Sequence, residues 1–182
     1  PPFRKRGDAN LDNRADFFWR DATGGGLSWW TMSGATANGA SYFAVGPEWT
    51  LAEVSDQGGD GKADITWRNT TDGSVTRWNL DGLAVASLSE FGPVSADFTL
   101  LGSADLDGEG HDDLVFRHAD GSLYGWLMGP GIVAQGPMGG KDPAWNFAGL
   151  GDFDGDGKAD ILWHGPDGTA EIVFMNGLAQ AG

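Results

Sequence analysis

Short runs of alternating hydrophobic and polar residues follow one another along the whole chain, and turns rich in Gly, Asp and Asn separate them. Such alternation over five to eight residues is typical of β-strands with one buried face, and no stretch shows a helical period. The predicted class is therefore all-β. The pattern predicts a weak outer strand within 33–48 and clearer strands near 15–20, 27–32, 49–55, 63–69, 74–80, 83–89, 98–104, 112–118, 122–128, 131–135, 145–151, 159–164 and 169–175.

The strand pattern is repeated four times, each time around an acidic loop. The loops begin at Asp8, Asp56, Asp105 and Asp152, so successive copies start 48, 49 and 47 residues apart. Eleven residues after each start lies an aromatic residue, and the next residue is basic or imidazole: Trp19 and Arg20, Trp67 and Arg68, Phe116 and Arg117, Trp163 and His164. In the first copy, the strands are predicted to form a hairpin around Gly24-Gly25-Gly26. Residues 1–7 are basic and Pro-rich, where later copies begin with a strand.

A unit of about 40–50 residues with four short strands is typical of a β-propeller blade. The chain is therefore predicted to be a single β-propeller domain of four-stranded antiparallel blades, with blades near 1–48, 49–97, 98–144 and 145–182. The four blades either close as a four-bladed ring or form part of a larger ring, completed by further chain or by another copy.

The fourth loop, within 151–163, carries carboxylates at alternate positions. Asp152, Asp154, Asp156 and Asp160 occupy loop positions one, three, five and nine. Carboxylates this close repel one another unless a hard cation lies between them, and calcium takes six to eight oxygen ligands from such loops. Position seven, Lys158, would supply its backbone carbonyl. The Gly residues at positions four and six allow a left-handed backbone, and the apolar run that follows predicts a strand rather than the helix of an EF-hand.

The other three loops offer similar but not identical ligand sets. From the ligand count, the fourth loop is predicted to bind calcium best and the second loop worst, because Gly58 has no side-chain oxygen. The predicted ligands, with position seven acting through its backbone carbonyl, are Asp8, Asn10, Asp12, Arg14 and Asp16; Asp56, Gly58, Asp60, Lys62 and Asp64; and Asp105, Asp107, Glu109, His111 and Asp113. Up to four calcium ions are expected, one per repeat.

The unit Gly-Asp-Phe-Asp-Gly-Asp-Gly-Lys-Ala-Asp-Ile-Leu-Trp at 151–163, followed by Asp-Gly-Thr and Met-Asn-Gly, resembles the FG-GAP/VCBS repeat family. The resemblance covers nearly the whole chain. It implies calcium-binding β-propeller repeats like the blades of integrin α-subunits, which are common in bacterial secreted and surface proteins. The chain departs from the family pattern at Gly58, Asn10 and Glu109.

The formal net charge of −15 has a local origin, because 14 of the 26 acidic residues are predicted ligands in the four loops. Without them the acids nearly balance the 11 Lys and Arg. The negative sign disfavours nucleic acid as a partner, and no apolar run reaches the length of a membrane span. The chain has no Cys. Calcium-dependent folding favours an extracellular setting, because resting cytosolic calcium is too low for ordinary sites.

The recurring aromatic residues are predicted to pack between blades. Trp29 is the candidate exception, because it neighbours Trp30 in a strand and so points to the opposite face. It is either buried against the next blade or exposed as a platform for a sugar ring. The basic and imidazole positions, Arg20, Arg68, Arg117 and His164, either pair with acids near the loops or line a ligand groove.

Three functions are open at this stage. The first is a non-catalytic, calcium-stabilised recognition or adhesion module that binds a protein or glycan outside the cell, alone, as a homo-oligomer or within a larger parent chain. The second is an accessory domain that anchors a secreted polysaccharide- or protein-degrading enzyme. The third is an enzyme using paired carboxylates. It is disfavoured because calcium accounts for the acids and no nucleophile elbow, phosphate loop or zinc signature occurs.

Overall fold

The computed structural model describes residues 7–21 and 25–181, so the predictions for residues 1–6 and for Gly24 lie outside the described residues. The described chain is built from short strands and turns. The strands are β1 Phe17–Arg20, β2 Gly26–Ser33, β3 Thr36–Ala44, β4 Trp49–Ser55, β5 Asp64–Asn69, β6 Ser74–Asp81, β7 Ala84–Pro93, β8 Phe98–Ala104, β9 Asp113–His118, β10 Ser122–Met128, β11 Ile132–Gly140, β12 Asn146–Gly151, β13 Asp160–His164, β14 Ala170–Val173, β15 Met175–Asn176 and β16 Ala179–Gln180.

Each repeat forms its own antiparallel meander, and strands that follow one another in sequence pair side by side. The sheets have the orders β1-β2-β3, β4-β5-β6-β7, β11-β10-β9-β8 and β12-β13-β14, with a separate β15-β16 hairpin. This confirms the all-β, antiparallel prediction. The outer strands β7 and β11 are longer than predicted, and β3 lies within the predicted range 33–48. They present one face to solvent, so their small and polar residues give a weak hydrophobic signal.

The chain divides into two compact units, with the boundary in the sequence between Val94 and Ser95. Each unit contains two repeats. The core of the first unit contains Ala9, Leu27, Trp29, Val45, Ile65, Trp67 and Leu80. The core of the second contains Ala104, Leu106, Val115, Leu123, Met138, Ala159, Ile161, Trp163 and Met175. Within each unit the core draws on both sheets and on residues of the acidic loops. Loop geometry and hydrophobic packing are therefore linked.

Backbone hydrogen bonds anchor the earlier acidic loop of each unit to the later repeat. The carbonyl oxygens at loop positions one and two accept these bonds from an Ala at position eight of the later loop and from a turn Gly beyond it. The bonds are Ala63 N–H to Asp8 at 2.6 Å, Gly82 N–H to Ala9 at 2.8 Å, Ala159 N–H to Asp105 at 2.7 Å and Gly177 N–H to Leu106 at 2.8 Å. A conformational change in either anchored loop would therefore disturb the backbone hydrogen bonds to the neighbouring repeat.

Within the described residues, no helix is long and apolar enough to cross a membrane.

Positions four and six of every acidic loop have a left-handed backbone, as predicted for Gly155 and Gly157, whose φ angles are 83° and 88°. The other loops show the same geometry, with Gly at both positions in the second and third copies. The first loop instead has Leu11 and Asn13, with φ angles of 62° and 64°. A left-handed conformation costs a residue with a Cβ atom roughly 1–2 kcal/mol. The first loop is therefore the most strained.

Leu11→Gly is expected to raise the free energy of unfolding by about 1 kcal/mol, because Gly adopts a left-handed conformation without the Cβ clash. Leu11 is about half exposed, so little burial is lost. Thermal or urea unfolding measures the change. The control is Leu88→Gly, which alters another exposed Leu, this one in strand β7, and is expected to destabilise. If both variants lost the same free energy of unfolding, the left-handed conformation of Leu11 would carry no strain.

Candidate metal centres

The carboxylate at loop position one closes the loop around itself. In all four copies its Oδ2 accepts a hydrogen bond from the backbone N–H at position six. The bonds are Asn13 N–H to Asp8 at 2.8 Å, Gly61 N–H to Asp56 at 2.9 Å, Gly110 N–H to Asp105 at 2.8 Å and Gly157 N–H to Asp152 at 3.0 Å. The left-handed residues at positions four and six bend the backbone so that it can make this contact. The loop geometry therefore follows from the Asp and Gly spacing in the sequence.

Asp side chains at positions three and five each accept a hydrogen bond from the backbone N–H two residues further on. In the fourth loop, Asp154 accepts from Asp156 N–H at 3.1 Å and Asp156 from Lys158 N–H at 2.8 Å. In the third loop, Asp107 accepts from Glu109 N–H at 3.1 Å. Such Asx turns fix each side chain beside its own backbone.

The carboxylate at position nine links the loop to the strand after next. Its Oδ1 accepts from a strand or hairpin residue 15 or 16 positions later: Met32 to Asp16 at 2.9 Å, Leu80 to Asp64 at 3.2 Å, Met128 to Asp113 at 2.7 Å and Met175 to Asp160 at 3.0 Å. Its Oδ2 accepts from the loop: Ala9 to Asp16 at 2.9 Å, Gly58 to Asp64 at 2.7 Å, Leu106 to Asp113 at 2.8 Å and Phe153 to Asp160 at 2.9 Å. These four Asp, predicted as metal ligands only, also hold each repeat together. The sequence prediction did not include that second role.

Burial makes two of the position-nine carboxylates harder to ionise. It raises the pKa of Asp113 to about 7 and that of Asp64 to about 6, although the backbone N–H bonds that each accepts act in the opposite direction. The nearby Asp107 and Asp105 raise the pKa of Asp113 further. A cation bound in the third loop would stabilise the ionised form of all three carboxylates.

Two carboxylate clusters have the compactness of a metal site. One consists of Asp105, Asp107 and Asp113 and the other of Asp152, Asp154 and Asp156, and within each cluster the oxygens lie within 4.8 Å of one another. Among the described residues of the first two loops, no three carboxylates come this close. The structure thus brings together six of the predicted ligands, all in the second unit.

The second loop differs from the others at the position where the sequence departs from the repeat. Asp64 accepts its loop bond from the third position, Gly58, whereas the other loops use the second position. The side chain of Gln57 is buried, and its Nε2 donates to Thr66 Oγ1 at 2.5 Å. Lys62 forms ion pairs with Asp60 at 3.5 Å and Asp81 at 2.9 Å.

The Arg residues after the aromatic position reach the backbone of the chain beyond their own sheet. They donate to backbone carbonyls of the segment that leads to the next repeat: Arg20 to Val45, Gly46 and Trp49; Arg68 to Val94; and Arg117 to Lys141, Asp142 and Trp145. The Arg20 and Arg117 guanidiniums also lie over the rings of Trp67 and Trp163, at 5.1 and 4.9 Å. For Arg20 and Arg117, carbonyl contacts therefore take the place of the predicted pairing with acids. His164 is exposed.

Trp29 is not a surface platform. Its side chain is fully buried, and its Nε1–H donates to the Gly82 carbonyl at 2.9 Å. The exposed aromatic residues of the first sheet lie on its other face. There the ring centre of Trp19 is 5.3 Å from that of Trp30 and 6.0 Å from that of Phe17. The predicted burial of Trp19 and Trp30 is therefore wrong for the first repeat. Strand alternation fixes which residues share a face but does not fix which face is covered.

Residues 105–163, which include both carboxylate clusters, match the family model described as the FG-GAP-like repeat. This match confirms the resemblance found in the sequence. A search among curated proteins finds no match to the chain.

Proposed function

We propose that this chain, which contains an FG-GAP-like repeat, is a non-catalytic, calcium-stabilised recognition module of the cell exterior that binds a protein or glycan. The observation that carries the proposal is the pair of carboxylate clusters in the third and fourth loops. Metal binding would account for the close approach of these six carboxylates, so a catalytic role is not needed to explain them. The extracellular setting follows from the calcium concentration that such sites require.

Calcium is the cation that best fits the donor atoms of these loops. The clustered side chains offer only oxygen, and the position-seven residues, His111 and Lys158, add a backbone carbonyl as a further oxygen. Calcium–oxygen distances of about 2.3–2.6 Å place two ligands of one ion up to roughly 5 Å apart. The 4.8 Å limit within each cluster agrees with that spacing. Soft or nitrogen-seeking metals would need Cys or His ligands.

We further propose that the sheets act as propeller blades. In the first unit, Ile65 and Trp67 of the second sheet are 0% and 1% exposed, whereas Phe17 and Trp19 at the same positions of the first sheet are 56% and 50% exposed. The first sheet therefore presents the kind of surface that the second sheet buries. Another sheet of the same repeat class would cover it, in a four-bladed or a larger ring. The mass in solution, with and without Trp19→Lys, tests whether a second copy supplies that sheet.

A cleft in the first unit offers a ligand surface of suitable chemistry. It has a volume of about 260 Å³, lies where β3 approaches the second sheet, and is lined in part by Trp67, Trp78, Leu88 and Glu90. The Trp67 ring is buried, but the partly exposed Trp78 ring can stack on the apolar face of a sugar, and the exposed Glu90 carboxylate can accept hydrogen bonds from sugar hydroxyls. The combination supports a glycan as the ligand of this cleft.

The test is a glycan array probed with purified chain, with and without calcium. Binding is expected with calcium and is expected to weaken at least tenfold in Glu90→Gln, because the variant loses a charged acceptor. Asp97→Asn is the matched control, since Asp97 is exposed and lies outside the cleft. Hydrolysis of any arrayed glycan would contradict the non-catalytic assignment, and equal binding by both variants would contradict the cleft.

A further inference from the structure

A buried arginine lies beneath the second acidic loop, in the repeat whose loop lacks a carboxylate at position three. Arg77 is 2% exposed. Its Nη1 donates to the Gln57 carbonyl at 3.0 Å, and its guanidinium lies 5.7 Å from the centre of the Phe91 ring. Arg is seldom fully buried unless its charge is matched by acids.

The strand register shows that Arg77 is peculiar to this repeat. Arg77 pairs with Thr66, the residue ten places after the loop start. The residues in the same register elsewhere are uncharged: Trp29 opposite Phe18, Gly125 opposite Val115 and Ile172 opposite Leu162. The only repeat with Gly at loop position three is therefore also the only one with a cation at this strand position.

The charge of Arg77 acts on the loop itself. Its Nη1 reaches the carbonyl of Gln57, the loop residue next to Asp56, at 3.0 Å. Burial lowers the pKa of Arg77, and the nearby carboxylates Asp64 and Asp56, at loop positions nine and one, act in the opposite direction. Both carboxylates are buried, so each needs a nearby positive charge or hydrogen-bond donors. In the third and fourth loops a bound cation would meet the same need. A doubly charged ion placed beside a buried guanidinium would instead meet strong repulsion, because a low-dielectric interior screens charge poorly.

We propose that the second loop binds no calcium and that the Arg77 guanidinium supplies, in place of the metal, the positive charge that Asp56 and Asp64 require. Lys62 completes the arrangement at the surface, where it pairs with Asp60 and Asp81. This repeat would keep its fold at any calcium concentration, whereas the repeats of the second unit would depend on the ion. The inference rests on calcium binding elsewhere in the chain only for this contrast.

The first experiment counts calcium ions per chain by native mass spectrometry and by titration calorimetry. Asp60→Asn is expected to leave the count unchanged, whereas Asp156→Asn, its counterpart at position five of the fourth loop, is expected to lower the count by one. Both side chains are exposed, so both variants should fold. A count lowered by Asp60→Asn would overturn the inference and leave the proposed function intact. A wild-type chain without calcium would overturn the proposed function.

The second experiment replaces the arginine. Arg77→Met leaves two buried carboxylates without their cation and is expected to lower the melting temperature by roughly 10 °C in chelator. Arg77→Lys keeps the charge and is expected to recover part of that loss. If Arg77→Met melts like the wild type in chelator, the guanidinium does not balance the loop and the inference is wrong. If Arg77→Met does not fold, the Asp60→Asn count still decides.

Discussion

Removal of calcium is expected to lower the free energy of unfolding of the second unit by about 5 kcal/mol. An ion that binds only the folded state contributes RT ln(1 + [L]/Kd), which is about 2.7 kcal/mol per site at 100-fold over Kd. The two carboxylate clusters both lie in the second unit, so both contributions fall there. The physical reason is that clustered carboxylates repel one another once the cation has left, and the third loop is bonded to the fourth repeat through Ala159 and Gly177.

Thermal unfolding with calcium and with chelator measures the overall change, and hydrogen exchange resolved by peptide assigns it to one unit. Peptides from β9 and β13 are expected to exchange much faster in chelator, while those from β5 change little. Magnesium serves as the control ion, because it demands octahedral geometry and gives up its water reluctantly. It should restore little protection. Equal acceleration in both units would contradict the assignment of calcium to the second one, and no acceleration anywhere would contradict calcium binding.

Most of the strand positions follow from the sequence because each repeat confirms the others. Alternation placed strands such as β6 and β10 within a residue or two of their ends, and the Gly residues at loop positions four and six predicted the left-handed turns. In the third and fourth loops, three of the four carboxylates predicted from the acidic spacing come together, and Glu109 and Asp160 lie outside the clusters. These features are local. In a tight loop, side chains at alternate positions point toward one another, and this does not depend on the rest of the fold.

The remaining features depend on contacts between distant residues. Trp29 and Trp30 are adjacent in a strand, and only the packing of the second sheet decides that Trp29 is the buried one. Arg77 looks like a solvent-facing residue of an alternating strand until the fold buries it and brings its Nη1 to the Gln57 carbonyl of the second loop. The carbonyl contacts of Arg20 likewise need the fold, since they reach residues more than 20 positions away. One signal was present in the sequence. Arg77 is the only cation at its position in the repeat, and it occurs in the one repeat that has Gly58 at loop position three.

Asp160→Ala is expected to destabilise the protein by about 3–5 kcal/mol, with or without calcium. Asp160 is 1% exposed, and its two oxygens accept from the N–H groups of Phe153 at 2.9 Å and Met175 at 3.0 Å. A hydrogen bond to a charged group contributes about 1.5–3 kcal/mol, and the variant leaves both donors unsatisfied. The Asp at position nine is thus a structural link between the loop and the β15-β16 hairpin, in addition to any role as a metal ligand.

Urea unfolding in calcium and in chelator separates these two roles, with Asp154→Asn as the matched control. Asp154 is exposed and belongs to the carboxylate cluster, so its variant should lose stability only in calcium, by at most the ~2.7 kcal/mol that one site contributes. Asp160→Ala should lose most of its stability in both buffers. If Asp160→Ala matched the wild type in chelator, its carboxylate would act through the ion alone. The fourth repeat would then be stabilised by the metal, and the two hydrogen bonds from backbone N–H groups to Asp160 would add nothing measurable to the free energy of unfolding.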